Sequence, residues 1–310
     1  MAESEGSEQS SLSMPAELAK APAMLKNGDL RLRVCRYGAM LYSLNDIYMG
    51  RSLHLYGEYN EAEVALYRQL LQPGQLVVDA GANIGAHSVV FARGVQPGGR
   101  VVAYEPQRAV YQILCANLAI NRLRNVDARR AGVGAAAATM TVQAADYDRS
   151  GNFGAVQLES ADDAAQGAGD SVPVEPIDAL ALARCDLIKI DVEGMERDVL
   201  LGAVRTIERH QPVIYLENNI QEKSPALIQS LFDLGYRLHW HLPRLFNPEN
   251  FRGHEENVFG NQLNANMLCL PAEDPRRVEL DPVESVDSWW KQARPSTATG
   301  YTSSDKPQRP

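Results

Sequence analysis

The 310-residue chain has only four cysteines, six phenylalanines and three tryptophans, and it is short of positive charge. Cys35, Cys115, Cys185 and Cys269 stand far apart, with no paired metal-ligand spacing. They read as reduced, mostly buried thiols of a cytoplasmic protein rather than a disulfide framework. Lys and Arg number 30 against 39 acids, for a net charge of −9. That sign opposes general attraction to nucleic acid or to an anionic membrane. No apolar run nears the roughly 20 residues of a membrane span. The polar, acidic stretch Met1–Ser13 is not a secretory signal. Gly-x-Gly-x-x-Gly, the turn that seats a dinucleotide pyrophosphate on helix amides, is missing at the one place where a nucleotide turn is expected.

What is present is a strand–turn–helix unit, Gln75–Ala92. Leu76, Val77 and Val78 are a short apolar run suited to a central parallel strand. Gly81 and Gly85 permit sharp turning and close approach to a ligand. A helix then starts near Ile84, with its first amides pointing back at the turn. Strands follow at Arg100–Glu105, Asn125–Ala131, Asp186–Asp191, Pro212–Glu217, Tyr236–Leu242 and Asn264–Leu270, most of them separated by helical periodicity. This rhythm predicts an α/β fold with a Rossmann-like sheet of seven strands.

The chain divides into four pieces. Residues 1–22 are rich in Ser, Glu, Gly and Ala and read as a disordered tail. Residues 23–72 form a hairpin, Leu30–Cys35 returning from Ala39, followed by helical sequence, and are expected to cap one side of the ligand site. The main domain occupies 73–272, and 273–310 reads as a largely disordered tail. Within the main domain, 134–176 is irregular, with short strands at Thr139–Gln143 and Ser171–Val174 and an exposed loop at 160–170. A long loop, Pro243–Leu263, precedes the last strand, and a loop of that length in a compact domain is functional or disordered.

Asp79, Glu105, Asp191 and Glu217 each end a predicted strand. In an open α/β sheet those ends share one edge, where ligands bind. One such acid is ordinarily a turn or cap residue; four in succession argue for a functional rim. The turn Asp79-Ala-Gly81-Ala-Asn83-Ile-Gly85 opens on an acid, a poor neighbour for phosphate and a good one for ammonium or sulfonium. Glu105, 20 residues after Gly85, is placed to accept from both hydroxyls of a ribose. Adenosine joined to a cationic amino-acid tail describes S-adenosyl-L-methionine. Asp79, Gly81, Asn83, Gly85, His87 and Glu105 are therefore the cofactor-side candidates. A nicotinamide dehydrogenase is the disfavoured rival, because of the glycine spacing.

The blocks Val78-Asp-Ala-Gly-Ala-Asn-Ile-Gly85, Ala103-Tyr-Glu-Pro106, Ala116-Asn-Leu-Ala-Ile-Asn121 and Ile188-Lys-Ile-Asp-Val-Glu-Gly-Met-Glu196, followed by Leu200-Leu-Gly-Ala203, resemble the FkbM family of S-adenosylmethionine-dependent methyltransferases. The resemblance covers roughly residues 56–271. It implies an antiparallel seventh strand and methyl transfer to a hydroxyl of a sugar, glycoconjugate or natural product. The other reading of the same fold is a non-catalytic S-adenosylmethionine-binding regulatory or scaffold module.

An alcohol acceptor loses a proton on methylation, so a base or a metal near it helps. Asp191 is the first candidate base or metal ligand. Glu193 shares its face if the strand continues, and Lys189 either orients a carboxylate or makes a structural ion pair. Glu217 with Asn218 and Asp191 is similar to the magnesium-ligand arrangement of catechol O-methyltransferases; otherwise Glu217 orients a substrate hydroxyl. His239, His241 and His254 are further base or metal candidates, or satisfy local hydrogen bonds. Asn247–Asn257, with Trp240 and Phe246, offers the amides and aromatic faces that sugar recognition uses. The alternative is a surface lid without substrate contact.

Overall fold

The computed structural model describes residues 13–143, 145–160 and 169–293. The expected loop around 161–168 and the outer parts of both expected tails lie outside those residues. The prefix forms β1 (Leu25–Asn27), β2 (Leu30–Cys35) and β3 (Gly38–Ser43), an antiparallel sheet, then α1 (Met49–Leu55) and α2 (Glu61–Leu70). The main domain begins with β4 (Leu76–Ala80), α3 (Ala86–Gly94), β5 (Arg100–Tyr104), α4 (Arg108–Ile120) and β6 (Val126–Arg129). An inserted sheet follows: β7 (Gly132–Val133), β8 (Ala138–Gln143), β9 (Leu158–Ser160) and β10 (Gly169–Glu175). The alternation then resumes with β11 (Leu187–Ile190), α5 (Glu196–Leu201), α6 (Val204–His210), β12 (Val213–Glu217), α7 (Ser224–Asp233), β13 (Tyr236–His241), β14 (Asn266–Pro271) and β15 (Asp281–Pro282).

The central sheet runs β15-β13-β14-β12-β11-β4-β5-β6. Neighbours from β6 through β12 are parallel, and β14 is antiparallel to both β12 and β13. The chain leaves β4 toward β5 and later returns on its other side as β11, so the strand order reverses at β4. That reversal opens a crevice at the carboxyl ends of β4, β5 and β11. The strands flanking it are buried on both faces, which is why they read as apolar runs rather than alternations.

The sheet has eight strands where seven were expected. After Pro271 the polar chain turns back instead of trailing away. Leu280 and Val283 are buried, and Asp281–Pro282 pairs along the free edge of β13. An edge strand with unpaired backbone groups is covered in this way. Likewise Ala16–Lys20, inside the expected N-terminal tail, is a turn of 3-10 helix, and Met14 donates its backbone N–H to Arg36.

The Asn117 and Asn121 side chains of α4 explain one of the sequence blocks. The Asn117 amide accepts from Leu41 N–H at 2.7 Å and donates to Leu41 C=O at 3.0 Å. Asn121 does the same for Ala39, at 3.1 and 2.7 Å. Two amides one helical turn apart thus imitate a neighbouring strand along the edge of β3 and pin the prefix to the main domain.

Candidate active site

Strand register sets the geometry of the crevice. Ala80, Tyr104, Ile190 and Leu216 lie in one row across the sheet. The next residue on each strand is Gly81, Glu105, Asp191 or Glu217, so three acids and one glycine leave the sheet side by side. They line a cavity of about 520 Å³, together with Asn83, His87, Lys189 and Glu193. The prefix adds Asp46, Tyr48, Met49 and Tyr59 to the wall, and the far end of the chain adds Asn261–Ala265 and Trp290.

Asp79 lies deeper than expected. It pairs with Ala103 and Lys189 one row inside the sheet and is fully buried. Ser88 Oγ donates to it at 2.5 Å, and Lys189 Nζ lies 3.5 Å away. The same ammonium donates to Gly81 C=O at 2.7 Å and stands 3.3 Å from Asp191. Asp191, Asp79 and Glu63 together raise the Lys189 pKa against the opposing effect of burial, so the lysine stays charged. Asp79 therefore acts on the crevice through Lys189, which ties the turn after β4 to the acid after β11.

The two glycines serve protein packing. A Cβ on Gly81, whose φ is +83°, would sit 1.8 Å from Asp191 O. One on Gly85 would meet Leu114 at 2.6 Å. Gly81 lets the ends of β4 and β11 touch while it lines the cavity, and Gly85 seats α3 against α4.

Glu105 is buried, and its carboxylate accepts from Asn83 N–H at 3.0 Å and Gln107 N–H at 2.8 Å. Burial pushes it up to about 7 against those two hydrogen bonds. Beside it runs a narrow cleft of about 40 Å³ lined by Pro106, Ala131, Val133, Val156, Leu158 and Met195. The inserted sheet supplies Val133 and Leu158 of that wall, so the compositionally odd stretch after β6 belongs to the site.

Beyond β11 the strand ends, and Glu193 has a left-handed φ of 54°. The expected continuation of strand geometry does not occur, yet the turn still delivers Glu193 to the acids. One oxygen each of Asp191, Glu193 and Glu217 lies within 4.8 Å of the others. A non-glycine residue at positive φ is strained, and such positions cluster at functional sites. Glu193 is pushed up to about 7 by burial, then by repulsion from Asp191 and Glu196. Glu217 is raised further, by burial and then by the same acids, and its Oε2 is sealed without a partner.

Asn218 does not join them. It is buried, and its amide donates to Ser224 Oγ at 2.9 Å, capping the approach to α7. Asn219 lines the cavity instead. His241 is buried with its Nδ1 2.7 Å from Tyr215 OH, and His239 and His254 likewise stay outside the cavity lining. Asn247–Asn257 also faces away from it, for a reason given by Glu58. This buried carboxylate binds Arg36 Nε at 2.6 Å, Asn247 Nδ2 at 2.8 Å and Phe251 N–H at 2.7 Å. Arg252 donates to Ala19 and Val34 carbonyls at 2.6 and 2.8 Å. This half of the long loop is a strap over the prefix, and only its later half, Asn261–Ala265, reaches the cavity. Trp290 and the prefix residues carried no motif; only their tertiary neighbours disclose them.

The Methyltransferase FkbM domain model matches residues 79–238, which run from the acid of β4 into β13 and include Glu105, Asp191, Glu193 and Glu217. The chain belongs to the FkbM methyltransferase family. Among curated proteins, it is 31% identical over 161 residues to Methyltransferase sdnD of Sordaria araneosa, covering 43% of this chain and 61% of that protein. It is 26% identical over 145 residues to Methyltransferase 1 of Beauveria bassiana, covering 41% of this chain and 57% of that one. The chain thus spans about three-fifths of the curated relatives it matches. Among solved structures, the FkbM methyltransferase of Methylobacillus flagellatus aligns over 72% of this chain and 55% of its own, at 19% identity and a TM-score of 0.42.

Proposed function

We propose that this chain is an S-adenosylmethionine-dependent methyltransferase that methylates a hydroxyl of a small polar acceptor such as a sugar or natural product. The observation that carries the reading is the row Glu105, Gly81, Asp191, Glu217 at the point where the strand order reverses. Glu105 meets only neutral N–H donors in the protein, so its carboxylate suits a ribose diol. The narrow cleft beside it is lined mainly by apolar side chains, the chemistry that a purine face meets. The acids beyond Gly81 suit a sulfonium and an ammonium.

Bound S-adenosylmethionine supplies an electrophilic methyl group, and the chain's own residues do the rest. Asp191, half-exposed and steadied by Lys189, accepts the hydrogen bond of the acceptor hydroxyl and then its proton. Glu193, held near 7, is the next proton holder. Alignment of hydroxyl and methyl group lowers the barrier by several kcal/mol, on the order of other oriented displacements. The one lysine of the lining is spent on Asp79, Asp191 and Gly81, while carboxylates face the acceptor from several sides. Among the described residues, a phosphate- or carboxylate-bearing acceptor finds no free counter-charge there.

A second reading adds a divalent cation, because Asp191, Glu193 and Glu217 offer three oxygens at one place. Transfer of labelled methyl groups onto a small-molecule extract, with and without chelator, tests both. Label in a hydroxyl-borne methyl ether supports the first reading, and chelator-sensitive label supports the second. An enzyme that binds S-adenosylhomocysteine in calorimetry but transfers no label to any extract would count against catalysis.

A further inference from the structure

Outside that row lies another buried carboxylate, Glu63, contributed by the prefix. It sits in the first turn of α2 and is 3% exposed. Its Oε1 accepts from three side-chain amides, Asn60 at 2.7 Å, Asn266 at 2.9 Å and Asn264 at 3.0 Å. Its Oε2 accepts from Tyr67 OH at 3.2 Å and lies 3.8 Å from His87 Nε2. One side chain thus connects α2, the helix after the glycine turn, and the entry to β14.

A carboxylate is an expensive choice for this place. Burial and the nearby Asp191 push Glu63 up to about 7, although its hydrogen bonds and Lys189 oppose the shift. A carboxylate oxygen that carries no proton only accepts. Every amide that touches it must present nitrogen, and so must point its oxygen elsewhere. For Asn266 the same nitrogen also serves Tyr215 OH, deep in the core. Asn264 is different. It is half-buried, it lines the cavity, and its Oδ1 has no protein partner among the described residues.

We propose that Glu63 is a positioning residue for the methyl acceptor: by holding the Asn264 amide nitrogen, it presents Asn264 Oδ1 to the cavity as the oxygen that receives an acceptor hydroxyl's hydrogen bond. The proposal rests on the reading of the cavity as a methyltransferase site. It makes the N-terminal helix part of the active site, and it gives the acceptor a fixed oxygen opposite the carboxylate row.

Glu63→Ala, Glu63→Gln, Asn264→Ala and the Glu63→Ala/Asn264→Ala pair test it. Two readouts are needed: label transfer to the extract, and the side-chain amide signals of Asn264 in a ¹⁵N-labelled protein. Glutamine keeps an acceptor oxygen, so Glu63→Gln should stay within about threefold of the parent rate and keep the Asn264 amide protected from exchange. Glu63→Ala should lose that protection. Glu63→Ala and Asn264→Ala should each lower transfer at least about tenfold, as loss of an orienting hydrogen bond does. The pair should be no worse than either alone. Affinity of Asn264→Ala for S-adenosylhomocysteine should hold within about twofold, since Asn264 lies before β14, away from Glu105 and the glycine turn. Asn264→Ala carries the kinetic test if Glu63→Ala does not fold. Parent-like transfer by Asn264→Ala overturns the proposal, as does loss of S-adenosylhomocysteine affinity in step with transfer. If the parent protein transfers no label, the methyltransferase reading fails on its own; an unprotected Asn264 amide in the parent then separately refutes the positioning.

Discussion

The two walls of the crevice are built in different ways. The wall around Glu105 comes from strand ends and their turns, in one β-α-β unit, its inserted sheet and the turn after β11. The opposite wall is assembled from Asp46, Tyr48 and Tyr59 of the prefix, Asn261–Ala265 before β14, and Trp290 near the far end. One wall follows from the sheet, since register alone puts the acids in a row. The other depends on long-range docking, through Glu58, Arg252 and the Asn117–Asn121 ladder.

That contrast breaks most sharply at Asp191, where the walls meet. Asp191→Asn keeps shape and removes the proton acceptor, so turnover on the labelled acceptor should fall about 10²–10³-fold. Affinity for S-adenosylhomocysteine should be largely retained; unchanged turnover would remove Asp191 from the mechanism. Next comes the docking of the second wall. Glu58→Ala leaves Arg36, Asn247 and Phe251 N–H without their shared acceptor. Because Arg36 keeps Glu61 at 3.6 Å and is partly solvated, the loss should be about 2–3 kcal/mol in denaturant unfolding, below the figure for a fully buried pair. The loop after Pro243 should become protease-sensitive at the same time; a stable loop would show that the strap is held elsewhere.

The cofactor wall is probed by Glu105→Ala, expected to weaken S-adenosylhomocysteine about tenfold in calorimetry. An unchanged constant would detach Glu105 from the ribose. The smallest effect is on pH. Glu61, Glu63, Glu105 and Glu193 are each pushed up to about 7, chiefly by burial. Between the ordinary glutamate range and 7, the folded protein binds more protons than the unfolded chain, so stability falls as pH rises through that window. His87 and His241, pushed down to about 3 and about 4 by burial, act in the opposite direction below their ordinary range. The fall is therefore clearest from about pH 6.5 to 7.5, where the thermal midpoint of the ligand-free protein should drop by roughly 2–5 °C. Glu63→Gln and Glu105→Gln should each flatten it, one from each wall; a midpoint that rises over that range would contradict the assignment.

The readable residues were those whose chemistry coincides with a strand end. Glu105, Asp191 and Glu217 follow apolar runs, and a strand end in a parallel sheet has one destination. Asp79 satisfied the same rule but sits one row too deep, which only register reveals. Asn218 directly follows Glu217 and was expected beside it, but the turn after β12 buries Asn218 and brings Asn219 to the cavity. Glu63 gave no signal at all. An acid in the first turn of a helix ordinarily complements the helix dipole, and Glu61 beside it looks the same. Only the docking of α2 against α3 and β14 makes one of them a buried hub.

Sequence by itself was enough for seven of the sheet's strands, the point where their order reverses, and Glu105, Asp191 and Glu217 at that edge. Each of these follows from local periodicity and from the fixed direction of parallel strands. The tertiary structure decided which acid faces a lysine, which amide faces the cavity, and how the prefix closes one side of it. Those outcomes depend on contacts between residues as many as about two hundred positions apart, such as Glu63 with Asn264 and Asn266. No local pattern encodes contacts at that separation, because their energy appears only when the two segments are already packed together.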